Sequence, residues 1–440
     1  MNFYNRESEL SELQRIRELS FSQYSRMTVL VGRRRIGKTM LSMRLHSTNT
    51  AKAVYFFTAR KSENDLCKDF AFIISTSLGV FVPDGISRFS EMFRFVMELG
   101  KTEQFDLVID EFQEFYKINA SVYSDIQNIW DTYKNQTHIN LILSGSVYTL
   151  MEKIFRGANE PLFGRADNII HLRAFTTATL KKIIGDYRPN YTNDDLLALY
   201  SFTGGVPKYV ELFCDNKALS VKSMIEFMVR SDSPFIDEGK YLLVEEFGKN
   251  YGEYFSILRS IAGGKNTQPQ IEADLGKTAG GYIKRLIDDY QIIVRRRPIM
   301  AKEGSQTVRY EIIDNFLRFW FNYFERRRSL IEIKNFDVLQ RIIKDDWTTY
   351  SGWMLEKYFR QQLMESSKYT ELGSWWEAHG NSNEIDIVAI TTKNKAIAIE
   401  VKRQRKNFVP QILDEKVAHM QKKILGSLKI EKKCLTLEDM

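Results

Sequence analysis

Cysteine is scarce in this chain of 440 residues: Cys67, Cys214 and Cys434 are the only three, far apart and odd in number. Neither a disulfide framework nor a Cys-x-x-Cys zinc site can be built from them, and the shortage fits a reducing compartment. Proline (8) and glycine (24) are also few, which excludes collagen-like and linker-dominated architectures. No apolar run approaches the ~18–20 residues of a membrane span. The opening segment Met1–Glu7 lacks the basic and apolar regions of a secretory signal. A soluble, cytoplasmic protein with no membrane partner is expected. Internal repeats and low-complexity tracts are missing as well.

What is present is ordinary in amount: 43% hydrophobic, 27% charged and 13% aromatic residues. That suffices to bury several cores, and at roughly 150 residues per domain the length suggests about three domains. The net charge of +7, from 63 basic and 56 acidic residues, names no partner by itself.

From about residue 27 to 172, short apolar runs alternate with helical stretches, the pattern of an α/β unit on a mostly parallel sheet. Strands are expected at Met27–Val31, Ala53–Phe57, Phe105–Asp110, Ile139–Ser144 and Asn168–Leu172, each apolar on both faces. Between about 175 and 240 the periodicity becomes helical, with a break at Gly204-Gly205-Val206-Pro207. Residues 250–313 read as three helices and then strands Ile292–Arg297 and Thr307–Ile313, the order of a winged helix. An aromatic stretch, Phe316–Phe324, leads into the last part. There a helix precedes strands around Trp375–Ala378, Ile385–Ile390 and Ala396–Val401, with lysine-rich helices at the end. The expected fold class is α/β: a parallel-sheet domain over 1–174, a helical lid over 175–245, a winged helix and linker helix over 246–335, and a second α/β domain over 336–440.

Gly32-Arg33-Arg34-Arg35-Ile36-Gly37-Lys38-Thr39 fits G-x-x-x-x-G-K-[ST] in full, after an expected strand and at the opening of an expected helix. In that context glycines let successive backbone N–H groups wrap a phosphate, and the helix N-terminus adds a favourable dipole. Gly32–Met40 is therefore the candidate ATP cradle, with Lys38 neutralising phosphate charge and the Thr39 hydroxyl ligating Mg²⁺. The run Phe105–Glu111 carries Asp110 to the carboxyl end of a strand, the edge where parallel sheets bind ligands. Asp110 is the second candidate Mg²⁺ ligand and Glu111 the residue that polarises the attacking water, so hydrolysis is expected. Alone, Asp110-Glu111 reads equally as a solvated strand-to-helix cap. Ser144 is a candidate to sense the terminal phosphate or orient water, or part of a plain turn. Arg165 is a candidate charge-stabilising arginine acting in cis or across a subunit interface, or a surface arginine before a strand. Action in trans entails a nucleotide-dependent homo-oligomer.

In the middle of the chain, Lys284 and Arg285 lie on the would-be recognition helix and Arg295-Arg296-Arg297 on the first wing strand. Such groups suit phosphate contacts. Packing against protein is the competing reading, because Asp288-Asp289 ends the same helix. Toward the carboxyl end, Asp386 opens one strand while Glu400-Val401-Lys402 closes the next. Side chains repeat every two residues in a strand, so Glu400 and Lys402 share a face. Asp386 and Glu400 are candidate ligands of one Mg²⁺, and Lys402 a group to position or activate water. A hairpin with solvated charges is the alternative. Between residues 393 and 433, twelve Lys or Arg stand against four acids, an excess suited to tracking a phosphate backbone or to a solvated helix face.

Phe3-Tyr4-Asn5-Arg6-Glu7-Ser8-Glu9-Leu10 resembles the F-x-x-R-E-x-E-L box of STAND-type and origin-recognition-like AAA+ ATPases. The phosphate loop, Asp110-Glu111, Ser144-Gly145-Ser146, Gly164-Arg165 and Gly205-Val206-Pro207 follow in that family's order. The whole chain is similar to the archaeal-type ATPase family that carries a winged helix and a carboxyl-terminal restriction-like nuclease domain. The resemblance implies that the amino-terminal box and Pro207 lie near adenine. It also implies that Asp386 with Glu400-x-Lys402 forms a D-x(n)-E-x-K nuclease core, to which Glu356 on the preceding helix adds an acid. The three arginines Arg33, Arg34 and Arg35 depart from the pattern, and service to nucleotide, partner or nucleic acid stays open. An ATP-hydrolysing protein that acts on nucleic acid, DNA foremost, with a metal-dependent nuclease domain is the leading expectation. The alternatives are a STAND-type switch or scaffold whose last domain binds without cleaving, and a DNA-binding regulator.

Overall fold

The computed structural model describes residues 1–47, 51–247, 251–302, 304–377, 383–392, 395–426 and 428–440. Ala378, the expected end of a strand, and Lys393, one of the basic residues counted above, lie outside the described residues. The chain divides into two compact units, Asn5–Arg173 and Met1–Tyr4 with Ala174–Met440.

The first unit runs α1 (Glu7–Ser22), β1 (Arg26–Val31), α2 (Lys38–Ser47), β2 (Lys52–Phe57), α3 (Glu63–Leu78), α4 (Phe89–Leu99), β3 (Gln104–Asp110), α5 (Phe115–Ile118), α6 (Val122–Tyr133), β4 (His138–Gly145), α7 (Tyr148–Arg156) and β5 (Asn168–His171). All five strands are parallel, in the order β2-β3-β4-β1-β5. The central strands β1, β3 and β4 are buried almost throughout, as two-sided helix cover demands. The edge strand β5 is only half-buried along its length, which corrects the expectation that it is apolar on both faces. Register aligns Val31 with Gly145, so the loops after β1 and β4 leave the sheet side by side at its carboxyl edge.

One charge inside this core was not anticipated. Asp106 on β3 is fully buried and accepts both from Arg17 of α1 and, at 2.7 Å, from Asn140 of β4. His46 of α2 lies 3.1 Å away. Burial alone would raise the Asp106 proton affinity, but His46, Arg17 and Asn140 hold it below the ordinary aspartate value.

The second unit begins with five helices, α8 (Thr177–Tyr187), α9 (Asn193–Thr203), α10 (Pro207–Asp215), α11 (Val221–Met228) and α12 (Glu238–Phe247). Then come α13 (Tyr251–Ala262), α14 (Gln268–Leu275), α15 (Gly280–Asp288) and an antiparallel ribbon of β6 (Ile293–Arg296) and β7 (Arg309–Ile312). The ribbon strands are shorter than expected. Arg296 is engaged within the protein, its Nε donating to the buried Glu311 at 2.9 Å.

The aromatic stretch is core. Phe316, Phe319, Trp320, Phe321, Tyr323 and Phe324, from α16 (Asn315–Trp320) into a π-helical turn, are all buried, and Trp320 donates to the Ile236 carbonyl at 2.7 Å. After α17 (Arg328–Glu332), the long α18 (Phe336–Glu365) leads to β8 (Tyr369–Trp375), β9 (Ile385–Thr391), β10 (Lys395–Lys402), α19 (Pro410–Met420) and β11 (Lys429–Thr436). One continuous apolar core joins residues of α8–α11, α16 and α18 to Ile387, Ile399 and Val401 of β9 and β10.

Two expectations are corrected in this last sheet, whose order is β11-β10-β9-β8. β8 ends at Trp375, where a strand was expected to begin. The lysine-rich end is not all helix, because β11 pairs in parallel with β10. β11 is an edge strand carrying Lys429, Lys432 and Lys433, and charges on an edge discourage pairing with other chains.

Removing Asp106 leaves Arg17 buried without its counter-charge, a loss of about 3–5 kcal/mol. Asp106→Ala is therefore expected to lower the midpoint of thermal unfolding by several degrees. In the native chain the depressed Asp106 contributes stability above the ordinary aspartate value and loses it as pH falls through its folded value. A melting curve over a pH series reads both effects.

Candidate functional site

The loop after β1 is shaped for close approach of backbone. A Cβ on Gly32 would come within 2.9 Å of Ile36 Cγ2 and 3.1 Å of the Leu172 carbonyl, so any side chain there would crowd both. Arg35 and Gly37 take positive φ, 70° and 94°, which turn the chain into α2. The Lys38 ammonium is buried and donates to the carbonyls of Gly32 (2.7 Å) and Arg33 (3.2 Å). Ile36 is buried, while Arg34, Arg35, Thr39 and Met40 are exposed. Arg6, also buried, donates to the Ile36 carbonyl at 3.3 Å and to that of Arg173 at 2.6 Å, so the start of α1 braces the loop from beneath.

Asp110 closes β3 facing this loop. Its carboxylate accepts four hydrogen bonds: from Thr39 Oγ1 (2.9 Å), Tyr55 (2.5 Å), Ser144 Oγ (2.5 Å) and the Glu111 N–H (2.9 Å). Burial by itself would raise its proton affinity, but the hydroxyls of Ser144, Tyr55 and Thr39 keep it below the ordinary value. Glu111 adopts the left-handed conformation, φ 53°, which is costly for a residue with a side chain and is typical of functional sites. Its carboxylate accepts from Gln113 (2.5 Å) and Ser146 (2.7 Å). Gly145 makes room for this: a Cβ there would lie 2.3 Å from Gln113 Oε1. Arg165 is engaged elsewhere, donating to Asp131 at 3.2 Å and to the Phe163 carbonyl at 2.9 Å. Pro207 is the first residue of α10 in the other unit.

A second polar constellation lies in the last sheet. The antiparallel register of β9 and β10 pairs Ile387 with Ile399, so Asp386 and Glu400 fall opposite each other on one face. Glu400 is buried and accepts from Lys402 (2.8 Å). Asp386 accepts from the Val401 N–H at 2.7 Å. Burial and Glu400 raise the Asp386 proton affinity; burial and Asp386 do the same for Glu356 on α18. Lys402 is kept more basic than usual by Glu400, against the effect of its burial. The ribbon also reaches this corner. Arg309 binds Glu384 at 2.6 Å, and Arg360, 3.4 Å from Glu311, donates to Ser374, whose hydroxyl donates to the Asp386 carbonyl at 2.7 Å. Among the described residues, no group of three or more His, Cys, Asp or Glu is arranged to hold a metal ion.

Residues 3–213 match a family described as an ATPase domain predominantly from Archaea. That stretch of the chain is thus similar to an archaeal ATPase domain. Residues 320–416 match a second family, described as archaeal and bacterial proteins of unknown function. An uncharacterized protein of Methanocaldococcus jannaschii is 29% identical over 415 residues, covering 91% of this chain and 87% of that one. Among solved structures, a Walker-type ATPase of Pyrococcus abyssi is similar with a TM-score of 0.55 and 17% identity, over 72% of this chain and 96% of that one. The Aeropyrum pernix ORC2 protein is similar at a TM-score of 0.49 and 15% identity, over 76% and 95%. No helix among the described residues is long and apolar enough to cross a membrane.

Within the first unit, sequence reasoning missed Tyr55 and Gln113. Tyr55 reaches Asp110 only because β2 lies beside β3, and nothing in its local sequence signals that neighbour. Gln113 stands two residues beyond Glu111 and was findable as the nearest polar side chain on the following turn.

Tyr55→Phe removes one donor from the ionised Asp110, and hydrogen bonds to charged groups are worth about 1.5–3 kcal/mol. The depressed Asp110 value is then expected to rise toward the ordinary one, so protonation on acidification begins at higher pH. A carboxyl-carbon NMR titration of the variant against the native chain measures it.

Proposed function

We propose that the loop Gly32–Met40 binds ATP and that the Asp110-Glu111 pair drives its hydrolysis. The observation that carries this reading is the 2.9 Å bond from the Thr39 hydroxyl to Asp110, because it joins the two oxygen donors a nucleotide-bound Mg²⁺ requires. Mg²⁺ prefers one or two carboxylates or hydroxyls together with phosphate and water, which is the donor set here. Lys38 sits at the start of α2, where its charge and the helix N-terminus favour phosphate. Glu111 is the group that orients and deprotonates water, held by Gln113 and Ser146. Ser144 couples the phosphate position to Asp110 through its hydroxyl. Arg165 supplies charge to the terminal phosphate, in cis or from a neighbouring subunit; the second case entails a nucleotide-dependent homo-oligomer.

We further propose that Glu356, Asp386, Glu400 and Lys402 form a metal-dependent site for cutting nucleic acid, DNA in the first place. The supporting observation is the placement of Asp386 opposite Glu400 with Lys402 on the same face. Two hard carboxylates suit Mg²⁺, with water and a phosphate oxygen completing its shell. A bound Mg²⁺ there would polarise the phosphoryl group. Lys402 would hold the attacking water, and Glu356, with its raised proton affinity, is suited to carry a proton.

Lys38→Ala is expected to abolish ATP binding and turnover. Glu111→Gln is expected to retain binding while turnover falls by about 10²–10⁴-fold, the usual contribution of a general base. Turnover that survives both changes would refute the site. For the second centre, labelled single- and double-stranded DNA and RNA are incubated with Mg²⁺ or Mn²⁺, with and without ATP. Cleavage that is lost in Asp386→Ala and Lys402→Ala is expected; a protein that binds DNA and never cuts it would favour the scaffold reading.

A further inference from the structure

Glu400 faces two ammonium groups, and only one of them belongs to the Glu-x-Lys pair. Lys416 of α19 donates to Glu400 Oε1 at 3.1 Å and to Oε2 at 3.3 Å, and its side chain is 12% exposed. Lys402 reaches Oε1 alone. We infer that Lys416 is a latch on the metal position of this cluster: its ammonium holds the Glu400 carboxylate, and a divalent cation must displace it in order to bind. The inference rests on the metal-dependent reading of the cluster given above.

The two lysines differ in how they are held. Lys402 follows Glu400 by two residues on the same strand, and the ladder of β10 with β11 fixes its backbone. Its ammonium reaches Oε1 from the strand that carries Glu400 itself. Lys416 arrives from a separate helix on a flexible four-carbon stem, carrying a compact charge whose hydrogen bonds reorient freely. It is also the one that spans both carboxylate oxygens, so a cation at Oε2 meets it first. On the other side, Asp386 Oδ2 is already engaged by the Val401 N–H. That leaves Asp386 Oδ1, and on Glu400 the oxygen not held by Lys402 is Oε2, which Lys416 covers at 3.3 Å. Two like charges cannot share that position in a buried site, so metal and ammonium compete. Once displaced, the Lys416 ammonium remains within reach of the same corner, where an anionic phosphate would be its natural partner.

The competition sets a direction opposite to that of a supporting residue. The full chain is titrated with Mn²⁺ in the absence of nucleotide, free ion being followed by electron paramagnetic resonance and heat by calorimetry. Binding lost in Asp386→Asn marks the fraction belonging to this cluster. Lys416→Met removes the competing charge at similar length and is expected to tighten that fraction by about tenfold, within the range usual for coupled sites. Lys416→Arg keeps a cation and is expected to bind as the native chain does. Lys416→Gln serves as a second neutral variant, and unfolding curves establish that each is folded. Unchanged affinity in the neutral variants overturns the latch, since Lys416 would then be a bystander. Weaker affinity overturns it too, since Lys416 would then be holding the site together. Mn²⁺ binding that is absent, or indifferent to Asp386→Asn, overturns the metal-dependent reading itself and the latch with it. Those results are distinguishable from an affinity that depends on Asp386 and ignores Lys416.

Discussion

The nucleotide end of the first unit is organised around one buried carboxylate. Asp110 takes hydrogen bonds from α2 through Thr39, from β2 through Tyr55, from β4 through Ser144 and from its own next peptide. A carboxylate removed from water is costly unless its oxygens are fully satisfied. Here three hydroxyls and one N–H satisfy it without adding any positive charge. The tips of three neighbouring elements are thereby fixed relative to the phosphate loop. The same arrangement favours the ionised form, since every donor is directed at the carboxylate.

The carboxyl-terminal cluster is built on the opposite electrostatic principle. Asp386 and Glu400 face each other with Glu356 near; burial and a neighbouring carboxylate raise the proton affinities of Asp386 and Glu356, where the Asp110 environment lowers one. The compensation comes from ammonium groups, Lys402 and Lys416, rather than from hydroxyls. Such an arrangement is stable only while the cations stay, and it responds to any competing cation or anion. One end of the chain therefore holds a satisfied carboxylate, and the other a charge cluster whose balance is open to exchange.

Legibility in the sequence followed locality. The phosphate loop is contiguous, so Gly32 to Thr39 announced both the bend and the helix behind it. Asp110-Glu111 at the end of an apolar run was legible because a parallel sheet exposes that edge. The alternation of Glu400 and Lys402 needed only the two-residue period of a strand. What escaped depended on strand order or on distant partners. Tyr55 matters through the pairing of β2 with β3, Arg17 through the fully buried Asp106, and Lys416 through the packing of α19 near β10. β11 escaped for a different reason: Lys429–Thr436 carries an edge strand's charges, which read as a solvated helix face.

The basic ribbon illustrates why counting charges along a chain misleads. Arg295-Arg296-Arg297 reads as a phosphate-contacting wing, yet Arg296 is held by Glu311, and Arg309 on the paired strand by Glu384. Lys357 and Arg360 of α18 complete the surroundings of Glu311, which is held far below the ordinary glutamate value despite its burial. Breaking such a network by removing one member leaves the others buried and uncompensated. β6 and β7 are thus tied by charge to α18 and to the start of β9. The backbone adds to this, since the Ile299 N–H donates to the Ser374 carbonyl at 2.8 Å on β8. Within the second unit, the ribbon is part of the scaffold that places Asp386. Any nucleic acid engaging the exposed Arg295 or Arg297 would do so on an element already coupled to the acidic cluster.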